Sequence, residues 1–169
     1  MQATTAVNPP IVENFPPELT ERPQWVCWRL EERGGTQTKV PYTPATAHPA
    51  SVTDLLTWGT FEDAYAAYNG THPRYTPYTP YSGIGFVFCS GDPFAGIDLD
   101  GCRDPETGKV EEWARDIIDA ASEGYVEASP SGTGVHIIIE GRVRGGGIRK
   151  GPIEMYSCDR FFTITGVLL

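Results

Sequence analysis

FAGIDLDGC, residues 94–102, sets two aspartates one residue apart in a run that otherwise reads as a buried strand. Alternate side chains of a strand point to opposite faces, so Ile97 and Leu99 share one face while Asp98 and Asp100 share the other. Carboxylates held about 7 Å apart on a sheet repel each other and gain nothing from burial, an arrangement that is costly unless a cation sits between them. Immediately upstream, GIGFVFC reads as a strand and SGDP as a turn. An antiparallel hairpin carrying the aspartates near its end is therefore expected.

Working outward, QWVCWRLEE and TQTKVPY flank Gly34 and Gly35, which predicts a hairpin over residues 24 to 42 with Trp25 in the core. TFEDAYAAYNG predicts a helix with Thr60 and Asp63 as a capping box, Asp standing for the usual Glu, and Gly70 as terminator. Residues 109–122 predict a second helix ended by Gly124. Val110, Trp113, Ile117, Ile118 and Ala121 form its apolar face, and acidic residues occupy much of the rest. YVEAS and VHIIIEG are strands on either side of the loop PSGTG, and IEMY with RFFTITG makes a final pair. This order of elements is α+β, with antiparallel sheet dominating.

Residues 1–23 hold five prolines and little periodicity, which reads as a loosely ordered arm before a folded region over residues 24–169. In THPRYTPYTPYSG, Tyr75, Tyr78 and Tyr81 recur at the three-residue period of polyproline II, which would line the rings along one edge. That row is either a rail on which bases stack or a stiffened loop packed on its own domain.

A chain of 169 residues suffices for one domain with a real core. With 40% hydrophobic and 21% charged residues, 19 glycines and 15 prolines, it reads as a turn-rich globular protein. No apolar run approaches the roughly 18 residues of a bilayer span, and the N-terminus lacks a signal-peptide layout, so the expected location is cytoplasmic with no membrane partner. Cys27, Cys89, Cys102 and Cys158 form no CxxC pair and no histidine stands at zinc-finger spacing, which points to reduced thiols. A net charge of −9 argues against wrapping duplex DNA by charge alone. The acid is uneven, however. Ten acidic residues fall between Asp92 and Glu123, whereas GRVRGGGIRK at 141–150 carries four basic residues and no acid, so one face can be positive.

For the aspartates to do chemistry, a further carboxylate, an anion-binding loop and basic groups must converge on them. Glu154 lies between Ile153 and Met155, so its carboxylate leaves the strand on the face opposite two apolar neighbours. Three hard oxygen donors from adjacent strands suit Mg²⁺ or Mn²⁺. In SPSGTGVHIII, Gly132 and Gly134 allow backbone N–H groups to point together as a phosphate cradle, Ser131 adds a hydroxyl, and His136 can reach the same anion. Arg149 and Lys150 are candidates for phosphate contacts, as are Arg29 and Lys39 on the first hairpin. Taken singly, each feature has an ordinary structural reading: a surface strand, a turn, a satisfied histidine, a solvated charge.

The order IDLDG (97–101), SPSGTGVHI (129–137) and IEMY with RFFTITG (153–166) resembles the archaeo-eukaryotic primase superfamily, most closely the primase-polymerase domains of phage, plasmid and prophage replication proteins. The opening WVCWRLEERGGTQTKVPY and the TWGTFEDA helix are similar to the start of such domains, so the resemblance covers nearly all of residues 24–166. It implies an N-terminal α/β unit packed on a catalytic unit resembling an RNA-recognition fold, with the active site in the cleft between them. It implies that Asp98, Asp100 and Glu154 hold two divalent ions, Mg²⁺ or Mn²⁺, and that Ser131, Gly132, Gly134 and His136 bind the triphosphate of an incoming (d)NTP. The expected partners are a single-stranded or primed DNA template and a helicase domain or protein. Relatives usually continue into a helical segment beyond the FFTITG motif, so an excised catalytic domain, or an unusually short protein, is expected. The activity implied is that of a template-directed DNA primase and polymerase. Two other readings stand beside it: a metal-dependent nuclease using the same carboxylates, for which a triphosphate cradle is superfluous, and a non-catalytic module that binds nucleic acid or nucleotide.

Overall fold

The hairpin expected at residues 24–42 frames one of two units into which the chain divides. The structure is a computed structural model that describes residues 7–74 and 79–169. In chain order the elements are α1 (Pro17–Thr20), β1 (Trp25–Arg33), β2 (Thr36–Tyr42), α2 (Phe61–Tyr68), β3 (Gly83–Phe88), β4 (Phe94–Leu99), α3 (Glu112–Ala120), β5 (Tyr125–Ala128), β6 (Val135–Glu140), β7 (Gly147–Lys150), β8 (Ile153–Tyr156) and β9 (Arg160–Ile164), with short 3-10 turns at Val12–Asn14 and Leu55–Thr57. The fold is α+β, its strand pairs mainly antiparallel. No helix among the described residues is long and apolar enough to cross a membrane.

The unit formed by residues 15–87 and 161–164 contains the sheet β2-β1-β3-β9. β1 and β2 pair from Cys27↔Tyr42 to Arg33↔Thr36, and Gly34 and Gly35 supply the positive φ that so tight a turn needs. Trp25 is fully buried, its ring stacked on Phe15 at 5.6 Å and edge-on to Phe61 and Phe86. Burying an aromatic of this size contributes about 3 kcal/mol. The expected arm is therefore packed in part. Phe15 and Leu19 are buried, and the Leu19 carbonyl accepts the Trp25 indole N–H at 3.0 Å. Prolines there start a helix: Pro17 occupies the first turn of α1, where a missing N–H has no consequence.

The other unit comprises residues 1–14, 88–160 and 165–169, and its sheet has the order β5-β6-β4-β8-β7. Ile97, Leu99, Val135 and Ile137 are buried with Cys102, Val110 and Ala114, and Ile117, Ile118, Ala121, Val126, Ile139, Ile153 and Met155 pack around them. One face of the sheet is thus covered by α3. Trp113, expected on the buried face of that helix, is 36% exposed, because Ala114, a turn before Ile117 and Ile118, takes the central position instead.

Two expected pairings do not form. β3 and β4 belong to different sheets, so residues 83–100 are not a hairpin. β4 is flanked by β6 and β8 and β3 by β1 and β9, which leaves neither an edge for the other. The turn between them is held by Asp92, whose carboxylate accepts the N–H groups of Cys89 and Phe94 at 2.8 Å, and by Arg142, which donates to the carbonyls of Cys89, Ser90 and Asp92. Likewise IEMY and RFFTI do not pair: β8 lies between β4 and β7, while β9 joins β3.

Candidate active site

The register of the five-stranded sheet sets one polar residue from each strand in a continuous row. Glu127 on β5 opposes His136 on β6, His136 opposes Asp98 on β4, Asp98 opposes Glu154 on β8, and Glu154 opposes Arg149 on β7. Directly opposed residues share a face. Their chain neighbours Val126, Ile137, Ile97 and Met155 are in the apolar layer, so the row lies on the face away from α3. Side-chain exposure runs from 0% at Glu127 and 3% at His136 through 28% at Asp98 and 17% at Glu154 to 69% at Arg149. The row therefore starts in the interior and ends in solvent.

Asp98 and Glu154 are the chemically informative pair. Like charges directly opposite on adjacent strands destabilise a sheet by a few tenths of a kcal/mol to about 1 kcal/mol. Glu154 is partly compensated: its Oε1 lies 3.0 Å from Arg149 Nε, and its Oε2 accepts the Tyr156 hydroxyl. That hydrogen bond, followed by burial, raises the Tyr156 phenol above its ordinary value, and the ring is in turn covered by the Arg160 guanidinium at 4.7 Å. On the other side of Asp98, His136 Nε2 lies 3.8 Å from Oδ1, and Nδ1 lies 3.1 Å from Glu127 Oε1.

The sequence-derived trio is brought together in part. Asp98 and Glu154 meet, whereas Asp100 is exposed in the turn after β4, its N–H bonded to the Pro152 carbonyl at 2.8 Å. Among the described residues no group of three His, Cys, Asp or Glu side chains is gathered as a metal site. Two opposed carboxylates nonetheless fit Mg²⁺ or Mn²⁺, which bind through one or two carboxylates and complete their shell with water and phosphate oxygens.

The expected cradle is differently built. The Gly132 N–H donates to the Ser129 carbonyl at 2.8 Å and the Gly134 N–H to Ser129 Oγ at 3.1 Å, so the loop's amides turn inward. What it presents outward is a chain of hydroxyls, Ser129, Ser131 and Thr133, spaced 3.1 and 2.8 Å apart. Gly134 serves close approach instead, since a Cβ there would lie 2.8 Å from the Leu99 carbonyl oxygen. His136, expected to reach an anion in the loop, is buried and engaged by two carboxylates. Arg149 and Lys150 are exposed on the edge strand β7.

Arg29 and Lys39 belong to the other unit. The Arg29 guanidinium is sandwiched between Tyr42 and Tyr81 at 4.4 and 4.5 Å and donates to the Thr79 carbonyl. Lys39 is exposed, 6.0 Å from the Trp28 ring. Tyr75 and Tyr78 of the expected rail lie outside the described residues, and Tyr81 is 5% exposed.

Three residues of the site escaped sequence reasoning: Glu127, Tyr156 and Arg103, whose Nη1 donates to the Gly132 carbonyl at 2.8 Å and ties down the loop. The alternation of YVEAS could have flagged Glu127 as a lone acid between apolar neighbours.

No protein-family model matches the chain. Over 154 residues it is 36% identical to the DNA primase-polymerase of Nitratiruptor phage NrS-1, an alignment that covers 88% of this chain. The chain is thus homologous to part of a phage protein named as a DNA primase-polymerase. The chain spans only about a fifth of that relative's length, 20%.

Proposed function

We propose that this chain catalyses nucleotidyl transfer as the primase-polymerase part of a replication system, joining (d)NTPs to a 3′-hydroxyl under direction of a single-stranded or primed DNA template. The observation that carries this reading is the opposition of Asp98 and Glu154 across β4 and β8, beside His136, in a chain related to a phage DNA primase-polymerase. The unit with the five-stranded sheet is the catalytic, RNA-recognition-like unit of this proposal.

Asp98 and Glu154, with Asp100 from the adjoining turn, would hold two divalent ions, Mg²⁺ or Mn²⁺. Such ions, when bound, lower the pKa of an attacking hydroxyl and offset charge on the leaving pyrophosphate. The chain's own residues do the rest by positioning. Arg149 and Tyr156 each fix one oxygen of Glu154. Ser131, presented by the Gly132–Gly134 loop, and Lys150 bind the triphosphate through a hydroxyl and a charge, with Arg149 shared between Glu154 and phosphate. A template bound to a chain of net charge −9 is held by local cationic groups such as those of residues 141–150. A helicase domain or protein is the further partner this reading expects.

The test is extension of a labelled primed template with each triphosphate and Mn²⁺ or Mg²⁺. Wild-type protein should extend it, and Asp98→Ala, Asp100→Ala and Glu154→Ala should each abolish extension. Undiminished extension by Asp98→Ala or Glu154→Ala would overturn the proposal. Shortening of labelled single strands in the absence of triphosphate would establish the nuclease instead.

A further inference from the structure

The interior end of the polar row is built with more care than packing requires. Glu127 is fully buried, and its Oε2 accepts three hydrogen bonds, from the Tyr125 hydroxyl at 2.7 Å and from the N–H groups of Thr165 and Gly166 at 2.8 Å each. Burial, then the charge of Glu127, pushes the Tyr125 phenol well above its ordinary value, so this hydroxyl remains a donor. Three donors on one oxygen hold the carboxylate in place. Its other oxygen, Oε1, then faces His136 Nδ1 at 3.1 Å.

We propose that Glu127 is a positioning residue that holds His136 with hydrogen on Nδ1 and turns Nε2 toward Asp98. A carboxylate oxygen offers only lone pairs, and a bare Nδ1 would oppose another lone pair to it. Hydrogen on Nδ1 converts that repulsion into a charge-assisted bond. Nδ1–H thus faces Glu127, and Nε2, 3.8 Å from Asp98 Oδ1, is the nitrogen on the Asp98 side. The same device, a carboxylate behind a histidine, fixes tautomer and ring orientation at metal sites, where its loss lowers function about 10- to 100-fold. The consequence for nucleotide transfer rests on the function proposed above; the tautomer does not.

Glu127→Gln separates this role from simple anchoring. The amide oxygen can keep the three bonds at the Oε2 position, while the amide NH₂ then faces His136 and donates to it, forcing Nδ1 to accept and hydrogen onto Nε2. Long-range ¹H–¹⁵N spectra of the imidazoles, with His136 assigned by its absence in His136→Gln, should show an Nδ1–H ring in the wild type and an Nε2–H ring in Glu127→Gln. In primer extension Glu127→Gln should lower kcat/KM about 10- to 100-fold, and the double variant Glu127→Gln/His136→Gln should be no worse than His136→Gln alone. A wild-type His136 with hydrogen on Nε2 and none on Nδ1 would overturn the proposal even if Glu127→Gln does not fold. Additive losses in the double variant would overturn it as well, assigning Glu127 to anchoring residues 165–166. If wild-type protein extends no primer, the proposed function fails while the spectra still decide the role of Glu127.

Discussion

Gly134 shows how a residue chosen for one reason can be needed for another. Its amide is spent on Ser129 Oγ, and the absent side chain lets the loop close on the end of β4, where a Cβ would meet the Leu99 carbonyl oxygen at 2.8 Å and Ser129 Oγ at 3.2 Å. A backbone carbonyl cannot swing aside as a flexible side chain can. Gly134→Ala should therefore destabilise the chain by about 1–3 kcal/mol in urea unfolding, whereas Ser131→Ala, at an exposed hydroxyl, should leave the midpoint nearly unchanged. A Gly134→Ala midpoint equal to the wild type would mean that β4 and the loop yield freely. At this scale alternation is a strong guide: Asp98, His136 and Glu154 stand on the polar face because each is flanked by residues that belong in the core. Glu127 obeys the same rule, but its importance comes from Thr165 and Gly166, and no local pattern announces a bond to residues 38 and 39 positions away.

At the scale of elements, local chemistry was most legible where a segment closes on itself. The β1–β2 hairpin forms about its two glycines, and α2 begins at Thr60, whose hydroxyl oxygen accepts the Asp63 N–H at 3.1 Å, and is followed by Gly70 at positive φ. Only half of the capping box is made. The Asp63 carboxylate lies 3.4 Å from His72 Nε2, a contact with a buried ring that the local pattern does not show. Thr60→Ala should accordingly cost about 1 kcal/mol, read as a lower urea midpoint, and Thr60→Ser should restore most of it. No change in Thr60→Ala would show that α2 is held by packing alone. The pairings that do not form, β3 with β4 and β8 with β9, are of strands joined by short connections. Proximity in sequence favours a hairpin only when both strands have a free edge, and β4 and β8 are inner strands of their sheet.

At the scale of the whole molecule, the chain passes between its two units more than once. Residues 161–164 complete the four-stranded sheet as β9, and the residues just after them return two amides to Glu127 in the other unit's own fold. Ending the chain after Arg160 should thus remove the partner strand of β3 and leave a buried carboxylate short of two donors, a loss of about 1–3 kcal/mol for each unmet polar group. Amide spectra of that shortened chain should lose native dispersion in both units; preserved signals from residues 94–156 would show that the five-stranded sheet stands without its C-terminal donors. By itself the sequence determined the class of fold, the strands that carry the acids and the face each acid occupies, because backbone periodicity and burial act within a few residues. Which strands became neighbours, how Asp98 came to lie between His136 and Glu154, and that Glu127 stands behind them were decided only in the tertiary structure. Those outcomes depend on strand register and on hydrogen bonds between segments far apart in the chain, terms that exist only once the sheet has assembled.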